Sequence, residues 1–250
     1  MFEEVKIVMF DLDGTIYYGG DIIDGANEAI EHCRECGKNV FFLTNNSTKT
    51  RKQIFEKLQG MNINCNYDEV LTSGYVAALY AQRENLQKIY VCGSDNLKSE
   101  LEALDVEVVD AEHAKNLLIG YDPNFDYEKM TQAVRVGLHA DKIIACNKER
   151  VFLGQGVLNY PGCGGMVAPI EWCCGRMSDY VIGKPNTLML DIVCEWFGLD
   201  NSEMLMVGDT YESDILMANK KGCPSILISP QEYSDTINVE HIGDLVNLIR

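Results

Sequence analysis

Val5-Lys6-Ile7-Val8-Met9-Phe10-Asp11-Leu12-Asp13-Gly14-Thr15 is the stretch that decides the fold. Val5–Phe10 is a short apolar run, the pattern of a strand covered on both faces. It ends on two carboxylates one residue apart, and the chain leaves them on a Gly-Thr turn. Like charges this close repel, and one ionises with difficulty unless a cation sits between them. Hard cations such as Mg²⁺ take carboxylate and backbone oxygens, so the pair predicts a Mg²⁺ site with Asp11 as nucleophile. A calcium loop does not fit, because its fifth position would be Thr15 and its twelfth Ile22 instead of glutamate.

Working outward, the chain alternates strand and helix. Asp24–Gly37 carries Ala26, Ala29, Ile30 and Cys33 at helical spacing, with Asp24 as N-cap and Gly37 as stop. Asn39–Leu43 reads as a second buried strand and delivers Thr44-Asn45-Asn46-Ser47, followed by a helix over Lys49–Gly60. Glu69–Leu71 reads as a third strand, leading into a helix over Gly74–Arg83. This is the signature of an α/β fold, a Rossmann-like doubly wound parallel sheet flanked by helices.

After Arg83 the rhythm restarts. Strands are expected at Lys88–Cys92, Val106–Val109, Asn116–Gly120 and Lys142–Cys146, and helices at Asn96–Leu104 and Tyr127–His139. A Gly-rich loop and a helix around Gly165–Gly175 close the stretch. The expectation is an inserted α/β domain at 83–178, with 1–82 and 179–250 forming the first domain. Tyr180–Ile182 is assigned to the first domain, Gly183-Lys184-Pro185 to a turn, and Thr187–Phe197 to a helix capped by Asn186 and stopped by Gly198. Met204–Val207 then delivers Gly208-Asp209-Thr210, a helix covers Glu212–Lys221, Ser225–Ile228 is a strand, and Ile237–Arg250 ends in a short helix.

Composition excludes several classes. The chain has 250 residues, 46% hydrophobic and 24% charged, as in ordinary globular proteins. A net charge of −17 argues against sequence-independent nucleic-acid binding. It also repels anionic substrates at long range, so a phosphate site needs a local positive centre. The ten cysteines do not mark a disulfide scaffold, which suits short secreted chains. Met1–Phe10 carries Glu3, Glu4 and Lys6 and no cleavage-like region, so reduced thiols and a cytoplasmic location are expected. Cys33-x-x-Cys36 lacks a second Cys or His pair for zinc, and Cys173-Cys174 read as small apolar residues on a helix. The uncharged run Val151–Ile170 is long enough to span a bilayer, but its five glycines and two prolines make it a turn-rich loop, and no membrane segment is expected.

In open parallel sheets ligands bind beyond the carboxyl ends of the strands. Asp11 and Asp13, Thr44-Asn45-Asn46, and Asp209 all arrive there, and Lys184 arrives on a turn. One aspartate at a strand end is commonly a cap or turn former. Three carboxylates and a lysine converging on one edge are not explained that way. No P-loop and no Gly-x-Ser-x-Gly elbow occurs, and Gly162-Cys163-Gly164-Gly165 does not follow a strand as a dinucleotide fingerprint would.

The set Asp11-Leu-Asp-Gly-Thr15, Thr44-Asn45, Gly183-Lys184-Pro185 and Gly208-Asp209-Thr-Tyr-Glu-Ser-Asp214 resembles, in order and spacing, the four motifs of the haloacid dehalogenase (HAD) superfamily. The insert, with Thr44-Asn45-Asn46-Ser47 and Gly120-Tyr121-Asp122, is similar to the NagD-like phosphatases with an α/β cap. Members of that group act on nucleotides, sugar phosphates, phosphoglycolate, pyridoxal phosphate and 4-nitrophenyl phosphate. The resemblance implies Asp11 as nucleophile and Mg²⁺ ligand. It implies Asp13 as general acid/base, ligating the metal through its backbone carbonyl. Thr44, Asn45 and Asn46 would bind phosphate oxygens, Lys184 would orient the nucleophile and balance its charge, Asp209 would bind Mg²⁺, and Asp214 would hold the metal's water shell or Lys184. The dehalogenases lack the second aspartate and the ATPase branch has threonine there, so Asp13 favours a phosphatase.

The departures lie in the insert. Cys146-Asn147-Lys148-Glu149 stands where the group often has Thr-Asn-x-Asp, and Val151–Tyr160 lacks the histidine of similar pyridoxal-phosphate phosphatases. Such caps close over the site and select the leaving group. Asp122, Asn147 and Gly162–Gly165 would be cap-side contacts, with a turn before Pro123 as the plainer reading of Asp122. The expected partner is a small phosphorylated metabolite, and the resemblance also allows a homodimer. Two rivals stay open: a phosphotransferase or mutase on the same core, and a non-catalytic phosphometabolite-binding module.

Overall fold

Ile7–Asp11 forms a fully buried central strand in a computed structural model that describes residues 2–153 and 159–250. It lies in a six-stranded sheet ordered Ile237–Val239, Ser225–Ile228, Met204–Gly208, Ile7–Asp11, Asn39–Thr44, Val70–Thr72. Its neighbours run parallel to it, with Ile7 opposite Met204 on one side and Asp11 opposite Leu43 on the other. Val8 and Phe10 point into one core with Val40, Phe42, Leu205 and Val207, as the two-residue period of a strand requires. Ala26, Ala29, Ile30 and Cys33 of the helix Ala26–Glu35 close that core.

The chain divides into two compact units: Met1–Thr44, Ile54–Leu71 and Lys184–Arg250, and then Asn45–Gln53 with Thr72–Gly183. In the second, a four-stranded sheet runs Tyr180–Val181, Lys142–Ala145, Asn116–Ile119, Ile89–Cys92, with parallel pairings. Leu117, Ile119, Ile143 and Ala145 pack there against Ala133 and Val136 of the helix Tyr127–Gly137 and against Val167 and Ile170 of the helix Gly164–Cys174.

Several expectations are corrected. Asp24 is not the N-cap: Gly25 holds that place at φ 82 without a side-chain cap, because a Cβ there would meet Gly243 Cα at 2.9 Å. Val106–Val109 is no strand. It supplies Ile89 with two backbone hydrogen bonds but pairs only at Val108. Tyr180–Val181 pairs with Ile144–Ala145 and so joins the second sheet, not the first. Ile237–Arg250 opens as the strand Ile237–Val239 and continues as the 3₁₀ segment Ile242–Asn247. Glu212–Lys221 splits into a π-helical turn, Tyr211–Ile215, and a short helix, Leu216–Lys221. The supposed loop Val151–Ile170 holds an antiparallel hairpin, Val151–Leu153 with Asn159–Pro161, and most of the helix Gly164–Cys174, while 154–158 lie outside the described residues. Asn186 is not the N-cap: the helix is Leu188–Phe197 with Thr187 in that place, and Asn186, one residue earlier, accepts from Leu188 N at 3.0 Å on its side-chain oxygen, while Gly198 stops the helix at φ 62 as expected.

All ten cysteines are unpaired. Among the described residues no helix is long and apolar enough to cross a membrane.

Candidate active site

Two adjacent strands of the first unit end in carboxylates. Asp11 closes Ile7–Asp11, and Asp209 follows Met204–Gly208. The π-helical turn after Asp209 adds Asp214, and oxygens of Asp11, Asp209 and Asp214 lie within 4.8 Å of one another. Such turns insert one extra residue into the helical ladder and recur at functional sites.

Lys184 is buried among them at 3% exposure, and its ammonium donates to Asp11 Oδ1 and, at 2.6 Å, to Asp214 Oδ1. Thr210 N donates to the other Asp214 oxygen at 3.2 Å, so both oxygens of Asp214 are engaged. Burial alone would lower the Lys184 pKa, yet the Asp11 and Asp214 charges raise it overall. A contact near 4 Å is worth roughly 4 kcal/mol at an effective dielectric of 20, and two such contacts exceed the several kcal/mol of desolvation. Lys184 is therefore held as a cation.

Two buried carboxylates and a half-buried one against one lysine leave negative charge in excess. Burial and the Asp11 charge push the Asp209 carboxyl up; burial, Asp11 and Asp209 do the same to Asp214 despite Lys184. Thr15 donates weakly to Asp209 Oδ1 at 3.4 Å. Gly14 leaves the space in which Asp209 sits: a Cβ there would lie 2.4 Å from Asp209 Oδ2. This donor set, all hard oxygens with surplus charge, fits a divalent cation such as Mg²⁺.

Asp13 is exposed at the strand end and faces Tyr17. The protein around it, then the Asp11 charge, raises its carboxyl pKa, while Lys57, the Tyr17 hydroxyl and Lys184 pull it down. Tyr17 donates to Asp13 Oδ2 at 3.4 Å, and the Lys57 ammonium sits 3.3 Å from the centroid of its ring.

Thr44 is buried at the end of the strand beside Ile7–Asp11. Asn45 and Asn46 belong to the second unit, where each makes definite local bonds. The Asn45 carbonyl accepts from Ser73 Oγ at 2.7 Å and Asn147 Nδ2 at 2.8 Å, and its side-chain amide donates to Glu149 Oε1 at 2.7 Å. Asn46 Oδ1 caps the turn, accepting from Thr48 N at 3.0 Å and Lys49 N at 2.9 Å.

Asp122 serves a turn. It accepts from Asn124 N at 2.8 Å and pairs with Lys129 at 2.6 Å. Gly162 and Gly164 let the backbone of Lys148–Glu149 pass, since a Cβ would meet a carbonyl oxygen at 2.3 and 2.7 Å. Sequence reasoning assigned no role to Thr15, Tyr17, Lys57 or Glu149. Thr15 was visible inside its motif, whereas the Lys57–Tyr17 contact joins distant residues and leaves no local pattern.

The profile of the haloacid dehalogenase-like hydrolases matches residues 8–107, and a related HAD-like profile matches 181–244. Phosphoglycolate phosphatase 2 of Arabidopsis thaliana is 33% identical, over 91% of this chain and 84% of its own. The acid sugar phosphatase of Staphylococcus haemolyticus is 35% identical, over 88% and 84%. The crystal structure of 4-nitrophenylphosphatase from Thermotoga maritima superposes with a TM-score of 0.93 at 27% identity, covering 100% of this chain and 99% of that one. The chain belongs to the haloacid dehalogenase-like hydrolases, in their NagD-like phosphatase branch. It is a phosphoric monoester hydrolase.

Proposed function

We propose that the chain hydrolyses a small phosphomonoester, of the sugar-phosphate or phosphoglycolate class, with Mg²⁺ and through an aspartyl-phosphate on Asp11. The observation that carries the reading is Lys184, whose one ammonium bridges Asp11 and the fully buried Asp214. That bridge holds Asp11 in one orientation with a cation beside it, as an attacking carboxylate requires.

Asp11 attacks phosphorus as the ester P–O bond breaks, and Asp13 gives its proton to the leaving oxygen. Asp13 then takes a proton from water, which attacks the acyl phosphate and frees Asp11 and inorganic phosphate. Thr44, Asn45, Asn46 and Lys184 hold the phosphoryl oxygens. Asp11, Asp209 and the Asp13 carbonyl would hold Mg²⁺, which when bound offsets charge on the phosphoryl group. Asp214 stays behind them and fixes Lys184. The inserted segment, which the second unit extends to Thr72–Gly183 and joins with Asn45–Gln53, is the specificity domain that selects the leaving group.

Phosphate release from 4-nitrophenyl phosphate with Mg²⁺ is the test. Asp11→Asn should lower kcat by at least about 10³, and equal activity would remove Asp11 as nucleophile. A panel of sugar phosphates and 2-phosphoglycolate tests the substrate class, which falls if none is turned over.

A further inference from the structure

Leu12 O accepts hydrogen bonds from Ile16 N at 2.9 Å and Tyr17 N at 3.2 Å, and Gly14 N donates to Tyr17 O at 2.9 Å. The chain thus turns tightly after Asp13 and bridges back to it at Tyr17. The Tyr17 side chain is fully buried in the core with Phe10, Ile16 and Leu58. Its hydroxyl reaches Asp13 Oδ2 at 3.4 Å. On the face of the ring, the Lys57 ammonium lies 3.3 Å from the centroid, a cation–π contact that fixes the ring plane. Lys57 belongs to the helix Arg51–Gly60, so the brace joins a helix, a buried ring and an exposed carboxyl.

We propose that Tyr17, clamped by Lys57, is a positioning residue that aims the Asp13 carboxyl at the leaving-group oxygen. The inference rests on the acid role given to Asp13 above. In that step the Asp13 O–H bond breaks and an O–H bond forms on the leaving oxygen, which keeps the electron pair of the broken P–O bond. A proton donor held in one direction by a neutral hydroxyl acts sooner than one that rotates freely in water. A tyrosine suits this role because its ring is locked by packing while its hydroxyl lies beside the carboxyl.

The test uses two esters of nearly equal size, phenyl phosphate and 4-nitrophenyl phosphate. Phenolate is a basic leaving group and needs the proton, whereas the nitro group withdraws charge and lets the oxygen leave without it. Each variant is assayed on both esters from one preparation, so the ratio of the two kcat/KM values cancels any loss of folded enzyme. Tyr17→Phe keeps the ring beneath Lys57 and removes only the hydroxyl. It should lower kcat/KM for phenyl phosphate about tenfold more than for 4-nitrophenyl phosphate. Asp13→Asn should discriminate in the same direction by about a hundredfold or more. If Asp13→Asn discriminates and Tyr17→Phe loses equally on both esters, the positioning role is overturned while the acid role stands. If Asp13→Asn itself does not discriminate, the acid role and this inference fall together.

Discussion

Gly14 and Gly208 stand under the two aspartates of the last motif. A Cβ on Gly14 would lie 2.4 Å from Asp209 Oδ2, and one on Gly208 would lie 2.3 Å from the Asp214 carboxylate. Gly14 also holds φ +93, which an L side chain rarely adopts. Gly14→Ala should therefore displace Asp209, lower kcat by about 10- to 100-fold and cost about 1–3 kcal/mol of stability. Gly19→Ala is the control, since Gly19 also has a positive φ of 60 but no atom within 4 Å. It should cost about 1 kcal/mol and leave kcat intact. Equal kcat values for the two variants, with thermal midpoints measured alongside, would show that Asp209 need not occupy its observed place.

At the scale of elements, the strands buried on both faces were the legible ones. Asn39–Leu43, Lys88–Cys92 and Lys142–Cys146 lie within a residue of their expected limits, because a short apolar run bounded by polar residues has few other uses. Asp11, Lys184 and Asp209 were legible for a related reason, each being polar at the end of an apolar strand or on a turn beside one, whereas Asp214, inside the π-helical turn, was legible only through the resemblance of its motif. The misreadings fall where pairing outweighs local pattern. Ile237–Val239 adopts the extended form because Ile226–Ile228 offers it a partner, although Leu245, Leu248 and Ile249 continue a helical spacing. Tyr17 with Lys57 was illegible because a ring beneath an ammonium has no sequence period.

The helix Gly164–Cys174 carries a pH-dependent tie at this same scale. Glu171 is buried, with Oε1 accepting from Lys148 at 2.6 Å, Ser178 N at 2.5 Å and Ser178 Oγ at 2.6 Å. Burial pushes its carboxyl up, but the bonds from Lys148 and Ser178 outweigh burial and hold it below its usual value. A carboxyl lowered in the folded state stabilises above its unfolded pKa of about 4.3, and that gain is lost as pH falls through the folded value. Glu171→Gln should be less stable than wild type by about 1–3 kcal/mol at pH 7. The two should converge only as pH falls through that lowered folded value, as read by urea unfolding. A constant offset from neutral pH into the acid range would show that the ionised form contributes nothing.

For the whole molecule, the surplus negative charge at Asp11, Asp209 and Asp214 should make the first unit responsive to divalent cations. Mg²⁺ at a hundred times its dissociation constant should add about 2.7 kcal/mol. That is about 5–10 °C in the midpoint of a chain this size. Asp209→Asn should lose the rise, and chelation should abolish phosphatase activity in the wild type. A midpoint unmoved by Mg²⁺ in the wild type would contradict the assignment of these oxygens to a cation.

The register of the central strand has a consequence for synthesis on the ribosome. Ile7 pairs with Met204, so one flank of Ile7–Asp11 has no partner until nearly two hundred further residues have been added. At ordinary translation speeds that interval is roughly 10–40 s. During it, Thr72–Gly183 has emerged as one uninterrupted stretch carrying all four strands of the second sheet. That sheet can close while Ile7–Asp11 still waits with an open apolar edge. The strand that ends in Asp11 is thus among the first made and among the last completed, and the nascent chain carries its aggregation hazard at the amino-terminal end.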